Sequence, residues 1–393
     1  MANKNWAKIY FKNEFAGILT EEPGGRTRFT YNESFIENHS TGISINLPTK
    51  KIDHIYENGL HPFFDNLVAE GWLAEIQAKA LKTNSNNKFK LLIAFGHDLV
   101  GAVSVIDPDP QYKIQIDKDN YLKEVSIKSK ASMSGVQPKI FAYKKSGKFY
   151  PAELDQSSTH IAKLPGKYPL ILENEYLCSL AAKVLLTGDT IVDLELGEVE
   201  GIGKALLVKR FDRDRYGNKI HFEEFAQLLN FKADNKYDAN YTDMADFINA
   251  NPLCNKLDLE KLFRRILACI LLGNTDAHLK NFAMFHDSST LRLTPIYDMV
   301  FAAYYDLDEL ALHFTNINLS LGLLKAKHLV KLCKDFKLNQ RVLELAVNDF
   351  GSKLEKVYEE INKHKEISSD LRSKLIKQVK SRWNGTFSNI GNK

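Results

Sequence analysis

The chain has 393 residues, 44% of them hydrophobic and 26% charged, and 53 basic against 49 acidic side chains leave a net charge of only +4. That length exceeds what one core usually supports, so two or more domains are expected, and so small a net charge gives no reason to expect nucleic-acid binding by the chain as a whole. No run approaches the roughly 20 apolar residues that cross a bilayer, and residues 1–12 lack the apolar core of a secretory signal, so a cytoplasmic protein with no membrane partner is expected.

Ala7, Ile9 and Phe11 alternate with Lys8 and Tyr10 in a strand pattern, and strand-like runs recur at residues 43–47 and 99–106. Residues 63–68 and those after them read as helical. This predicts a small α+β subdomain over residues 1–110, ending where Pro108 and Pro110 interrupt regular structure. Over residues 111–213 the pattern predicts strands at 121–127, 140–143, 158–163 and 205–211 and a helix at 173–186, a mainly antiparallel sheet with a helix on one face. Residues 214–393 turn to helical spacing. Leu259, Leu262, Phe263, Ile266, Leu267 and Ile270 follow Asp258 as the N-cap and stop at Gly273, and further helices are expected at 323–336, 340–358 and 368–383. The fold class expected is α+β with an all-helical last third. Cys178, Cys254, Cys269 and Cys333 are scattered without CxxC spacing and read as free thiols.

The segment Gly273-Asn274-Thr275-Asp276-Ala277-His278-Leu279-Lys280-Asn281 places a carboxylate five residues ahead of an amide at a helix end. Asp276 can accept a proton and Asn281 can offer a neutral oxygen to a magnesium ion, although Asp and Asn also cap turns in ordinary loops. Asp298, after Pro295-Ile296-Tyr297, offers a second carboxylate. Lys163 sits in the apolar run Thr159-His160-Ile161-Ala162-Lys163-Leu164. A buried lysine there needs a counter-charge, either a nucleotide phosphate or a helix carboxylate such as Glu175 or Glu173, whereas an edge-strand lysine reaches solvent. Ser132-Met133-Ser134-Gly135-Val136-Gln137-Pro138-Lys139 reads either as a small-residue loop that brings backbone N–H groups to phosphate or as a polar hairpin. Lys209-Arg210-Phe211 leaves a strand just before the helical region, where backbone can meet the edge of a base.

Taken in order, these segments resemble the HipA family, the kinase toxins of bacterial HipA/HipB toxin–antitoxin modules. The resemblance also covers Phe63-Phe64-Asp65-Asn66-Leu67, Asn174-Glu175, Val208-Lys209-Arg210-Phe211-Asp212-Arg213 and His221-Phe222-Glu223-Glu224-Phe225. It implies a two-lobed protein-kinase-like fold: a HipA-type N-terminal subdomain (1–110), a sheet lobe with phosphate loop and hinge (111–213) and a helical lobe with the catalytic loop (214–393).

The resemblance implies ATP and Mg2+ as cofactors, Asp276 as catalytic base with His278 beside it, and Asn281 and Asp298 as metal ligands. His278 can meet the γ-phosphate or bond only to loop backbone. Ser134, Gly135, Val136, Gln137, Pro138 and Lys139 form the phosphate loop, Lys163 pairs with phosphate, Lys209, Arg210 and Phe211 form the adenine hinge, and Lys280 and Tyr297 join the nucleotide set. Ser132 and Ser134 are the implied autophosphorylation positions. Implied partners are a helix-turn-helix HipB-like antitoxin and an aminoacyl-tRNA synthetase substrate, whose phosphorylation would inhibit translation. Operator DNA is a further partner, approached by the basic helix around Lys374, Lys377, Lys380 and Arg382. The competing readings are a nucleotide-sensing corepressor in an antitoxin–DNA complex and a metal-dependent phosphohydrolase. Asp298 is followed by Met299-Val300 rather than Phe-Gly, so the activation-segment logic of ordinary protein kinases does not transfer.

Overall fold

The computed structural model describes residues 5–110, 121–130, 132–133, 137–153, 156–287 and 289–390. The chain divides into two compact units, the first built from Met1–Lys167, Leu194–Ala233 and Phe285–Ser288, the second from Tyr168–Asp193, Asp234–Met284 and Ser289–Lys393.

The first unit begins with five strands, β1 (Trp6–Phe11), β2 (Glu14–Glu21), β3 (Thr27–Tyr31), β4 (Asp53–Tyr56) and β5 (Val103–Ile106), in the antiparallel order β4-β3-β2-β1-β5. Alternation buries Ala7, Ile9 and Phe11 on one face of β1, where they join a core with Phe35, Phe63, Phe64 and Phe95 from the helices. The strand expected at 43–47 does not form. Ser44 and Leu47 make only an isolated bridge, because the side chains of Ser44 and Asn46 turn away to bond Glu223 and the carbonyls of Gln227 and Leu228. The strand expected at 121–127 is instead a helix, Tyr121–Lys128. Eight residues carry both periods, and i,i+4 links decide: Glu124 pairs with Lys128 at 2.6 Å and the Ser126 hydroxyl bonds the Leu122 carbonyl.

A second sheet in this unit is a closed five-stranded barrel of β6 (Lys139–Lys145), β7 (Lys148–Pro151), β8 (His160–Lys163), β9 (Leu194–Val199) and β10 (Gly203–Lys209), in the order β10-β8-β6-β7-β9. Its ladders are antiparallel except the parallel β7–β9 closure. Ile140, Ala142, Ala162, Leu164, Ala205 and Leu207 fill the interior at period two. Lys139 and Lys163 therefore face away from it. Three short strands follow, β11 (Phe222–Glu224), β12 (Ala283–His286) and β13 (Leu291–Leu293), so the last third is not all-helical.

In the second unit the helix Lys256–Leu272 is buried nearly all round, including the six apolar residues expected from the spacing. Its N-cap is Asn255, not Asp258: the Asn255 side chain accepts the Leu257 N–H, and Asp258 falls inside the first turn. Gly273 ends it at φ +76, and a Cβ there would lie 2.9 Å from the Phe301 ring. Helices Ile171–Leu185, Tyr241–Ala250, Ala326–Asp335, Gln340–Lys363 and Ser369–Gly385 also belong to this unit. All four cysteines are free. No helix among the described residues is long and apolar enough to cross a membrane.

Candidate active site

The left-handed stop at Gly273 reverses the chain, and the Asn274 N–H closes back on the Cys269 carbonyl at 2.8 Å, which turns the next residues away from the helix. Thr275 bonds the Leu307 carbonyl through its hydroxyl at 2.6 Å and accepts the Ala311 N–H. Asp276 therefore stands at the tip of an anchored turn and opens to the surface. Surrounding protein still withholds water and raises its carboxyl above the ordinary range, while a hydrogen bond from Tyr237 at 3.1 Å and the charge of Lys236 pull the other way.

Asn281 reaches back into the same turn. Its Oδ1 accepts the His278 N–H at 3.0 Å and its Nδ2 meets Asp298 Oδ2 at 3.1 Å, so the two metal-ligand candidates, 17 residues apart, are side by side. Both offer hard oxygens, and Oδ1 keeps a second lone pair, so the pair fits a magnesium ion that takes its other ligands from phosphate and water. Asp298 has φ +58, a conformation uncommon for a side chain bearing a Cβ. Four contacts hold it there. Ile296 bridges Ile191, Tyr297 donates its hydroxyl to the Lys280 carbonyl at 2.8 Å, Asn274 Nδ2 bonds the Asp298 carbonyl at 3.3 Å, and Asn174 clamps both backbone groups of Phe301 at 2.8 and 3.1 Å.

His278 is buried, its ring set edge-on to Tyr237 at 5.0 Å. Its Nδ1 accepts the Lys280 N–H at 3.3 Å, which leaves the proton of a neutral ring on Nε2. Tyr297 uses its hydroxyl on the loop and Lys280 is buried beneath it, so both shape the loop that carries Asn281.

In the first unit Lys139 and Lys163 are direct cross-strand partners on β6 and β8, and both are buried. Two ammonium groups opposite one another on one face call for negative charge nearby. Gln137 bonds the Leu164 carbonyl at 3.2 Å and Pro138 accepts the Leu164 N–H, tying the end of the phosphate-loop segment to β8. Ser134, Gly135 and Val136 lie outside the described residues. Ser132 is 1% exposed, and its hydroxyl has no hydrogen-bond partner among the described residues.

The hinge residues separate. Lys209 is exposed, and the Phe211 ring packs tilted against Phe222 at 4.9 Å and edge-on to Phe285 at 5.7 Å. The Arg210 side chain cannot serve a nucleotide: it is fully buried over Phe141 and bonds Asp212, Asp98, Ser158 and the Leu99 carbonyl. Only its backbone remains at the strand end, with its N–H given to Thr159.

The family model for the HipA N-terminal domain matches residues 7–106, and that for the HipA-like C-terminal domain matches residues 131–360. The chain belongs to the HipA family. A candidate kinase of Sinorhizobium fredii is 30% identical, with 84% of this chain and 85% of that protein covered. The serine/threonine-protein kinase toxin HipA of Shewanella oneidensis is 29% identical, over 63% of this chain and 64% of that protein. Among solved structures, a chain of the Shewanella oneidensis complex of HipA, HipB and operator DNA has the same mixed α/β fold, with a TM-score of 0.77 at 20% identity over 98% of this chain and 99% of that one.

Reading the HipA resemblance along the sequence missed Tyr237, Lys236 and the clamping role of Asn174, because nothing in their local spacing marks them; they reach the loop through the fold. Asn274 was visible in the motif, but its bond to the Asp298 backbone was not. On the helix Ser369–Gly385, Lys374 pairs with Asp370 at 3.0 Å, Lys380 lies over the Tyr358 ring and Arg382 bonds the Leu321 carbonyl. Much of that basic face is thus committed within the second unit.

Proposed function

We propose that this HipA-family chain is a Mg-ATP-dependent serine/threonine protein kinase, the toxin of a toxin–antitoxin module, with residues 1–110 as N-terminal subdomain, 111–213 as sheet lobe and 214–393 as helical lobe of a two-lobed kinase-like fold. The observation that carries the reading is the meeting of Asn281 and Asp298 at 3.1 Å on the loop that holds Asp276. The names of the relatives point the same way.

Bound Mg-ATP supplies the phosphoryl donor and spreads the charge that develops on transfer. Asp276 takes the proton of the incoming serine hydroxyl as that oxygen gains the phosphoryl group and ADP departs. Its raised carboxyl suits a base that needs some proton affinity. Asn281 and Asp298 present metal oxygens, Lys139 and Lys163 answer the phosphates, and His278 serves as a donor to a phosphate oxygen.

Autophosphorylation at Ser132, with Ser134 as second acceptor, acts as an off-switch in this reading. The Ser132 hydroxyl is buried, so it is modified only when its segment leaves its seat. A phosphoserine of nearly two negative charges is costly to return to a buried seat and would hold the segment out. The substrate is an aminoacyl-tRNA synthetase, and the partner a HipB-like helix-turn-helix antitoxin on operator DNA, as in the complex of the similar Shewanella chain. Lys377 is then the helix residue best placed to meet DNA phosphates.

Radiolabelled ATP added to cell lysate with wild type and with Asp276→Ala tests the proposal. Label on a synthetase and on Ser132 with wild type alone supports it. Phosphate release without protein labelling marks a phosphohydrolase, and ATP-dependent DNA affinity without either marks a corepressor.

A further inference from the structure

Away from the loop of Asp276, three chemistry-bearing side chains of the first unit converge. His221 immediately precedes β11 and Glu223 lies two residues on, so strand alternation turns both to one side. His286 ends β12, and its N–H donates to the His221 carbonyl at 3.0 Å, which brings a second imidazole to the same place. One ligand atom from each of the three lies within 4.8 Å of the other two, and the residues are 3%, 0% and 6% exposed.

Two of the three are well supplied with partners. Glu223 Oε1 lies 2.9 Å from His286 Nδ1 and accepts the Ile45 N–H at 3.2 Å, while Oε2 accepts the Ser44 hydroxyl at 2.6 Å. His221 is the anomaly. Among the described residues neither of its ring nitrogens makes a hydrogen bond of good geometry, the Ile43 backbone reaching it only weakly, although the ring is sealed against Phe11 at 4.9 Å, Phe63 at 6.3 Å and His286 at 5.3 Å. A buried imidazole so poorly matched forfeits the bonds it had in water and recovers little in return.

We propose that His221, Glu223 and His286 form a structural zinc site that fastens β11, the end of β12 and the Ser44 turn of the first unit. Two imidazoles and one carboxylate are a zinc donor set, with water as fourth ligand, whereas magnesium and calcium prefer oxygen alone. Ligand atoms bound at about 2.1 Å sit about 3.4 Å apart around a tetrahedral ion, so the side chains need to move by on the order of an ångström. Ser44 and Ile45 orient the carboxylate as outer-shell partners of metal ligands do.

The test uses the full-length chain, stripped with chelator, dialysed against zinc with excess magnesium, desalted and measured for bound metal. The expected result is about one zinc per chain in wild type and less than about a tenth in His221→Phe, whose ring fills the same apolar seat. Ser44→Ala is expected to bind zinc about 10- to 100-fold more weakly. Zinc should raise the melting temperature of wild type and leave that of His221→Phe unchanged. Wild type that keeps no zinc, or His221→Phe that keeps as much, overturns the proposal. Cobalt(II) titration of wild type provides a check that needs no variant. One equivalent with the intense visible bands of four-coordinate cobalt and no thiolate charge-transfer band supports it, and a spectrum like that of cobalt in water overturns it.

Discussion

Two clusters of charge in this HipA-family chain show opposite uses of a carboxylate. In the first unit Arg210 and Arg213 are locked to Asp98 and Asp212 at 2.6 to 3.2 Å, with Ser158, the Leu99 and Gly101 carbonyls and the Gly101 N–H taking the remaining bonds. Burial alone would raise both acids, but the guanidiniums overcome it and hold them below the ordinary carboxylate range. In the second unit Asp276 has a hydrogen bond from Tyr237 and the charge of Lys236 for company, desolvation prevails, and its carboxyl is raised. A carboxylate fully paired with arginine is committed to the fold. One that is desolvated and lightly bonded keeps its affinity for a proton.

The contrast breaks most sharply at the loop. Asp276→Ala or Asp298→Ala is expected to lower phosphotransfer by about 10²- to 10⁴-fold with little change in melting temperature, measured by labelled-phosphate assay beside a thermal melt. Substantial turnover by either variant would sink the assignment. Arg210→Met should do the reverse, costing about 3–5 kcal/mol in chemical denaturation because buried Asp212 and partly buried Asp98 lose a fully buried partner. With both acids held below their ordinary values, the wild-type network contributes stability that is complete above about pH 4 and fades as pH falls further toward the lowered values. Arg210→Met should flatten that acid limb, and an unchanged limb would show the network not to be its source.

Gly273→Ala sharpens the comparison from the backbone side. It forces a Cβ into a left-handed residue against the Phe301 ring and should cost about 1–3 kcal/mol, with a matching loss of activity as the loop shifts. The smallest effect is expected from Tyr237→Phe. The tyrosine hydrogen bond favours the ionised form of Asp276, so its loss raises the carboxyl further and moves the acid limb of kcat/KM upward by less than about one pH unit. A downward shift would contradict the role given to Tyr237.

Much of this was legible before any coordinate. The helix ending at Gly273 and the alternation at Ala7, Ile9 and Phe11 are local periodicities, and the structure repeats them. Residues 121–127 misled because a short amphipathic run satisfies both periods until i,i+4 partners are known. Residues 43–47 misled because their polar side chains are spent on residues almost two hundred positions away. Arg210 sat in a recognisable motif, but which way its side chain turned depended on Asp98, more than a hundred residues upstream.

By itself, then, the order of residues determined the elements with strong periodicity, the glycine stop at Gly273, and a set of motifs whose types and spacing pointed to the HipA family. Tertiary structure decided which charges are spent and which remain. Lys139 opposite Lys163, Asn281 against Asp298, Tyr237 on Asp276 and His221 beside Glu223 and His286 are all meetings that depend on strand register and helix packing. Local propensity encodes the conformation of a few neighbouring residues; the company a side chain keeps is set by burial and pairing across the whole fold.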